Sequence, residues 1–249
     1  MKLNYKKDPP SDLDVIFDRG EDKPLFGKMI EEYTPISQQG NIGSCAANAG
    51  ADALEIVLAN SRLDKTNIPQ VSRKYLYWAA RSWDGTESID AGTYIRTIMR
   101  QMHRVGVCPE ADWPYDENYQ QAPSLEATIR ASENKIDGYS RIANVGEQRI
   151  LDLASAIDRG YPVVFGTGVG QAFMGLYGDG VLQSPASIVG YHALVATGYK
   201  VVNSRVRFRI RNSWGEEWGD KGRCWFDEEY MTAPMTSDLW VVTKMREFA

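Results

Sequence analysis

Residues 38–56 read QQGNIGSCAANAGADALEI, in which a Gly-Ser-Cys at 43–45 runs straight into an alanine-rich segment. Ala46, Ala49, Gly50, Ala53, Leu54, Val57 and Leu58 recur at helical spacing, which predicts a helix over 45–59 with Cys45 in its first turn. The unpaired N–H groups and the positive end of the helix dipole at that position favour a thiolate, the nucleophilic form of cysteine. Gly50 inside a helix costs about 1 kcal/mol relative to alanine, which predicts that another element packs closely there. Taken alone, these residues also fit a small buried cysteine that happens to begin a helix. A nucleophile needs a base.

Only two histidines are available. His103 shares its helical face with Arg96, Arg100 and Arg104, which suits a solvated basic surface. His192 opens the strand-like run YHALVATGY, beside small residues that let another element approach. In RVRFRIRNSWG, Arg205, Arg207, Arg209 and Arg211 fall on one strand face, while Val206, Phe208, Ile210 and Asn212 fall on the other. The arginine face reads as solvated and paired with carboxylates. Asn212 ends a core-facing series, where an unpartnered amide costs roughly 1–3 kcal/mol. A histidine N–H from a neighbouring strand would satisfy it, and Trp214 would keep water from that bond.

These motifs resemble those of papain-like cysteine peptidases of the cathepsin type. Gln39, six residues before Cys45, is similar to the family's oxyanion-hole glutamine. G-S-C-A-A-N-A is similar to its G-S-C-W-A-F-S/A, and His192-Ala193 followed by V-A-T-G-Y is similar to its H-A-x-x-x-V-G-Y. Asn212-Ser213-Trp214-Gly215 with Trp218, Gly219 and Gly222 is similar to N-S-W-G-x-x-W-G-x-x-G. The order Gln, Cys, His, Asn agrees as well.

The resemblance implies a cysteine endopeptidase of α+β class, with a papain-like two-lobe fold. It places a helical lobe beside an antiparallel, β-barrel-like lobe, with the cleft between them. Cys45 and His192 would form a thiolate–imidazolium pair, Asn212 would orient the ring, and Gln39 with the Cys45 N–H would hold the oxyanion of an acyl-enzyme pathway. Gly43 would line S1, the subsite for the residue whose carbonyl is attacked (P1). Ala91 and Gly92 would pair with substrate backbone. Gly166, Gly190 and Ala193 would wall S2, the subsite for the preceding residue (P2), with its floor unassigned. The partner is a protein or peptide substrate, and neither cofactor nor metal is called for.

Departures from the family pattern are informative. Ile42 replaces a disulfide-forming cysteine, Ala46 replaces the tryptophan after the nucleophile, and Gly190-Tyr191 replaces the usual pair before the histidine. Only 44 residues precede Cys45, so residues 1–22 read as an arm, a short pro-region able to lie over its own cleft. Residues 23–120 read as the mainly helical lobe and 121–249 as the mainly β lobe. The same cysteine and histidine would serve acyl transfer to an amine or peptide ligation, and a catalytically silent binding module is the reading from another class.

The remaining signals narrow the class. A net charge of -5 disfavours nucleic-acid partners, no apolar run reaches the ~20 residues of a membrane span, and the N-terminus lacks a secretory h-region. Three scattered cysteines suit a reducing, intracellular setting, with export lacking a cleavable signal as the alternative. GTGVG at 166–170 lacks nucleotide-binding spacing and reads as a flexible turn after a core strand.

Overall fold

The computed structural model describes residues 2–245; Met1 and residues 246–249, the outermost ends of the expected arm and β lobe, lie outside it. A short β1 (Lys28–Met29) precedes α1 (Cys45–Ser61), α2 (Arg73–Trp83) and α3 (Ile95–Arg104). Leu54, Leu58, Leu76, Ile98, Met99 and Met102 of these helices close one hydrophobic core. Ser72 caps α2 by accepting from the Tyr75 N–H at 3.0 Å. The close packing predicted at Gly50 is present, since a Cβ there would lie 2.5 Å from Ile98 Cγ2.

Next come α4 (Leu125–Glu133), β2 (Ile136–Ile142), α5 (Gly146–Asp158), β3 (Val163–Val169) and α6 (Gln171–Met174). The chain ends with β4 (Val181–Leu182), β5 (Gly190–Val202), β6 (Arg205–Arg211), β7 (Arg223–Asp227), α7 (Glu228–Thr232) and β8 (Ser237–Met245). Helix α4 was not legible in the sequence because it buries only Ala127 and Ala131, too weak a pattern to stand out.

The class is α+β, as expected. The strands follow the order β2-β8-β3-β5-β6-β7-β4, with β1 on the flank of β5. Pairing is antiparallel except between β4 and β7. The sheet does not close into a barrel: β2 and the two-residue β4 form its two ends.

Strands β3 and β5 are buried on both faces, and alternate residues serve different cores. Val164, Ala193 and Val195 face the helical core, whereas Val163, Phe165, Leu194 and Ala196 join Leu153, Ala154 and Ile157 of α5. GTGVG is therefore not a flexible turn. Residues 166–169 belong to β3 and pair in register with β5, from Gly166 opposite Ala193 to Val169 opposite Gly190.

The arginine face of β6 is only partly solvated. Arg205 pairs with Glu228, and Arg209 with Asp220. Arg211 is fully buried between Glu32 at 2.7 Å and Asp52 of α1 at 3.1 Å, because this end of β6 meets the helical layer. The N-terminal arm is tied down along β2: the Phe17 N–H donates to Arg141 O at 2.8 Å, the Arg141 N–H donates to Val15 O at 2.7 Å, and the Phe17 side chain enters the second core.

Candidate active site

Cys45 is the first residue of α1, and His192 lies near the start of β5; both are fully buried. The His192 ring nitrogen Nε2 is 2.8 Å from Asn212 Oδ1. That same oxygen accepts the Ser213 N–H at 2.8 Å, so it is an acceptor and Nε2 must carry the hydrogen. The lone pair of the ring then sits on Nδ1, which is buried with no hydrogen-bond partner among the described residues. The Trp214 ring lies 4.9 Å from the His192 ring, and Phe173 approaches it edge-on at 5.9 Å, so the bond to Asn212 is dry.

Gln39 is held by the residues following Asn212. Its Oε1 accepts from Ser213 Oγ at 2.8 Å and from Trp214 Nε1 at 3.3 Å, and its N–H donates to Ser213 O at 2.9 Å. The carboxamide is thereby turned with its NH₂ toward Ile42 O at 3.1 Å and Lys2 O at 3.3 Å. The N-S-W-G motif contains Ser213 without signalling this anchoring contact, apart from its position directly after Asn212.

Burial pushes the Cys45 thiol up to about 11, only partly offset by backbone hydrogen bonds to Ala193, Asn4 and Ala46. Burial also lowers His192 to about 4, against the opposing effect of Asn212. Burial by itself thus favours the thiol and the neutral imidazole over the thiolate–imidazolium pair that the resemblance implies, for as long as the site is closed. Neither charge would be solvated in a closed site.

A model of the papain family of cysteine proteases matches residues 28–239. The chain belongs to the papain family of cysteine proteases. It is 31% identical over 251 residues to an uncharacterized peptidase C1-like protein of Acanthamoeba polyphaga mimivirus, covering 96% of this chain and 77% of that one. Cysteine proteinase 1 of Entamoeba histolytica is 29% identical over 77% of this chain, which spans only 59% of that relative's length. Among solved structures, xylellain, a cysteine protease from Xylella fastidiosa, superposes with a TM-score of 0.85 at 28% identity, covering 98% of this chain and 96% of that one.

In this papain-family protease, residues 2–5 pack against most of the positions expected to bind substrate. A Cβ at Gly166 would be driven into the Tyr5 ring, and one at Gly92 into the Asn4 carbonyl. At Gly190 it would lie 2.5 Å from Leu3 Cδ1, and at Gly43 2.9 Å from Asn4 Nδ2. The Tyr5 N–H donates to Tyr191 O at 3.3 Å. Ala91 directs its N–H to Ile89 O at 3.0 Å, Ala193 lies buried opposite Gly166, and Trp214 belongs with Gln39 and His192. The arm runs from Lys2 at Gln39 to Tyr5 at Gly166. With the S2 wall at Gly166 that the resemblance implies, a substrate would run the other way, since P2 precedes the scissile carbonyl.

The far side of the Tyr5 pocket holds a residue that sequence reasoning missed. Asp238 is buried in a left-handed backbone conformation (φ 54°) and accepts from the Tyr5 hydroxyl, from the Asp8 N–H at 2.7 Å and from Arg141 at 3.3 Å. Burial, then Asp238, raises the Tyr5 phenol, so it remains a donor. Asp8 accepts from Trp240 Nε1 at 2.8 Å and from the Arg96 N–H at 3.2 Å. Burial and the neighbouring Asp238 still raise its carboxyl to about 6. Among the described residues no group of histidine, cysteine and carboxylate side chains is arranged to hold a metal ion, and no helix is long and apolar enough to cross a membrane.

Proposed function

We propose that this cysteine protease is an endopeptidase working through Cys45, His192 and Asn212, and that its N-terminal arm occupies the cleft in the resting state. The observation that carries the reading is the tautomer imposed on His192. With Nε2–H donated to Asn212, only Nδ1 is free to take the thiol proton. A neutral amide suits this role, because the thiolate–imidazolium pair balances its own charge once water or substrate enters.

The thiolate would attack the scissile carbonyl, with the oxyanion held by Gln39 Nε2 and the Cys45 N–H. His192 would return the proton to the leaving amine, and water deprotonated by His192 would then release the acid from the thioester. Lys2 O lies within 3.3 Å of Gln39 Nε2 and the Asn4 backbone bonds to Cys45, so the arm holds the places this chemistry needs. Asn in place of Asp beside the histidine favours hydrolysis over transglutaminase-like transfer.

The test is hydrolysis of peptide libraries by wild type and Cys45→Ala, with added amines. Cleavage lost in Cys45→Ala, with the acyl group going to water, supports the reading. Diversion of most product to the amine supports acyl transfer, and no turnover in either protein supports a silent module.

A further inference from the structure

Ser44 occupies the N-cap of α1, directly before the nucleophile, yet its hydroxyl makes no capping bond. Its Oγ lies instead 2.6 Å from the Tyr115 hydroxyl, which donates its one hydrogen to Gln39 O at 2.8 Å. That direction is forced, because a carbonyl can only accept. Ser44 must then donate to Tyr115, and its oxygen in turn accepts from Asn48 Nδ2 at 3.0 Å. Burial raises the Tyr115 phenol to about 12, so the hydroxyl keeps its hydrogen. Asn48, Ser44, Tyr115 and Gln39 thus form one chain of hydrogen bonds with a single direction.

The two ends of this chain meet the two donors expected to hold the oxyanion. Gln39 is one of them. The other is the Cys45 N–H, which belongs to the same peptide unit as the Ser44 carbonyl. That carbonyl accepts twice, from the Asn48 N–H at 3.0 Å and from Asn48 Nδ2 at 3.0 Å. A second donor on the carbonyl holds the plane of the peptide and, by polarising it, strengthens its N–H as a donor. Asn48 stands where the papain-type run G-S-C-W-A-F-S/A has phenylalanine. Its Oδ1 is buried with no hydrogen-bond partner among the described residues, a cost that an apolar side chain would avoid. Reversing the amide gives no relief, since Oδ1 would then face the Ser44 carbonyl.

We propose that Asn48 and Tyr115 are positioning residues of the oxyanion hole, Asn48 acting on the Cys45 N–H through the Ser44 carbonyl and Tyr115 acting on Gln39 through its backbone. The proposal rests on the peptidase reading and deepens it, since it names what holds the two oxyanion donors in place.

Tyr115→Phe removes a single oxygen, and Asn48→Leu keeps the size of the side chain without a donor. The readout is kcat/KM for peptide hydrolysis divided by the rate at which iodoacetamide alkylates Cys45. Hydrolysis builds an oxyanion and displacement of iodide builds none, while the quotient cancels both the open-cleft fraction and the thiolate fraction. Each variant should lower the quotient about three- to tenfold, with the loss in kcat and KM little changed. In a Gln39→Ala background Tyr115→Phe should cost nothing further, whereas Asn48→Leu, acting on the other donor, keeps its loss. A quotient unchanged in Tyr115→Phe overturns the proposal, even if both rates fall together, as a merely structural role would make them. An undiminished loss from Tyr115→Phe in the Gln39→Ala background overturns it too. If Asn48→Leu does not fold, Tyr115→Phe decides by itself. Wild-type hydrolysis with unchanged quotients in the variants defeats only the positioning role, whereas a wild type that hydrolyses no peptide defeats the peptidase reading with it.

Discussion

The ring of Tyr5 occupies the space that a Cβ on Gly166 would need. Gly166 has an ordinary strand conformation, so alanine is tolerated by its backbone, and the collision falls on the arm. Overpacking of this kind costs about 1–3 kcal/mol, which shifts arm docking roughly 5- to 150-fold. Alkylation of Cys45 by a small reagent such as iodoacetamide should accelerate by that order in Gly166→Ala. An unchanged or slower rate would mean that the arm does not limit access to the thiol.

Docking of the arm should weaken as pH rises through about 6. Asp8 is raised to about 6 when docked, by burial and by Asp238, against about 3.9 for a free aspartate. A raised carboxyl supports docking fully below about pH 4, and that support disappears as pH passes 6. Arg96 and Trp240 also face this carboxyl and temper the effect. The alkylation rate of wild type relative to Asp8→Asn, which cancels the titration of Cys45 itself, should rise across this window. A flat ratio would show that Asp8 does not govern the latch.

What the sequence made legible was local. The helix beginning at Cys45, the strand carrying His192 and the core-facing end of β6 at Asn212 each announced themselves through periodicity over a few residues. Gln39, Cys45, His192 and Asn212 then come together through the hydrogen bonds of Asn212, Ser213 and Ala193 with their neighbours. The contacts that escaped are long-range. Nothing near residue 5 signals a partner at Asp238, 233 positions away, and nothing in its immediate sequence marks Asp238 for a left-handed backbone. Arg211 looked like its neighbours on the stripe, yet Glu32 and Asp52 draw it inside. The glycines of GTGVG resembled a turn, but their bare backbone makes room for Tyr5 and Ile188.

Gln39 should act on the barrier more than on binding. On the proposed mechanism Gln39→Ala removes an oxyanion donor and should lower kcat about 10²- to 10³-fold. Ser213→Ala removes one of the two bonds that turn the carboxamide, and should lower kcat by a few-fold to tenfold with KM little changed. A Gln39→Ala variant altered only in KM would contradict the oxyanion role.

Gly50→Ala tests the packing behind the nucleophile. Alanine gains about 1 kcal/mol of helix propensity. The new methyl would lie 2.5 Å from Cγ2 of Ile98, a β-branched side chain with little freedom to move. Overpacking of about 1–3 kcal/mol wins, so Tm should fall, by about 2–4 °C for each net kcal/mol lost in a chain of this size. A rise in Tm would show that α1 and α3 have slack between them.

The central claim is that Cys45 is the nucleophile and that the arm stands in front of it. The direct measurement is reaction of full-length protein with an epoxysuccinyl thiol inactivator, read by intact and peptide-level mass spectrometry alongside peptide hydrolysis. The account predicts one adduct, on Cys45, with parallel loss of hydrolysis and faster reaction in Gly166→Ala. Cys108 and Cys224 should remain unmodified: all three thiols are buried, but Cys45 bonds to the arm backbone at Asn4 and is uncovered when the arm leaves. Labelling confined to Cys108 or Cys224, or hydrolysis that survives complete modification of Cys45, would contradict it.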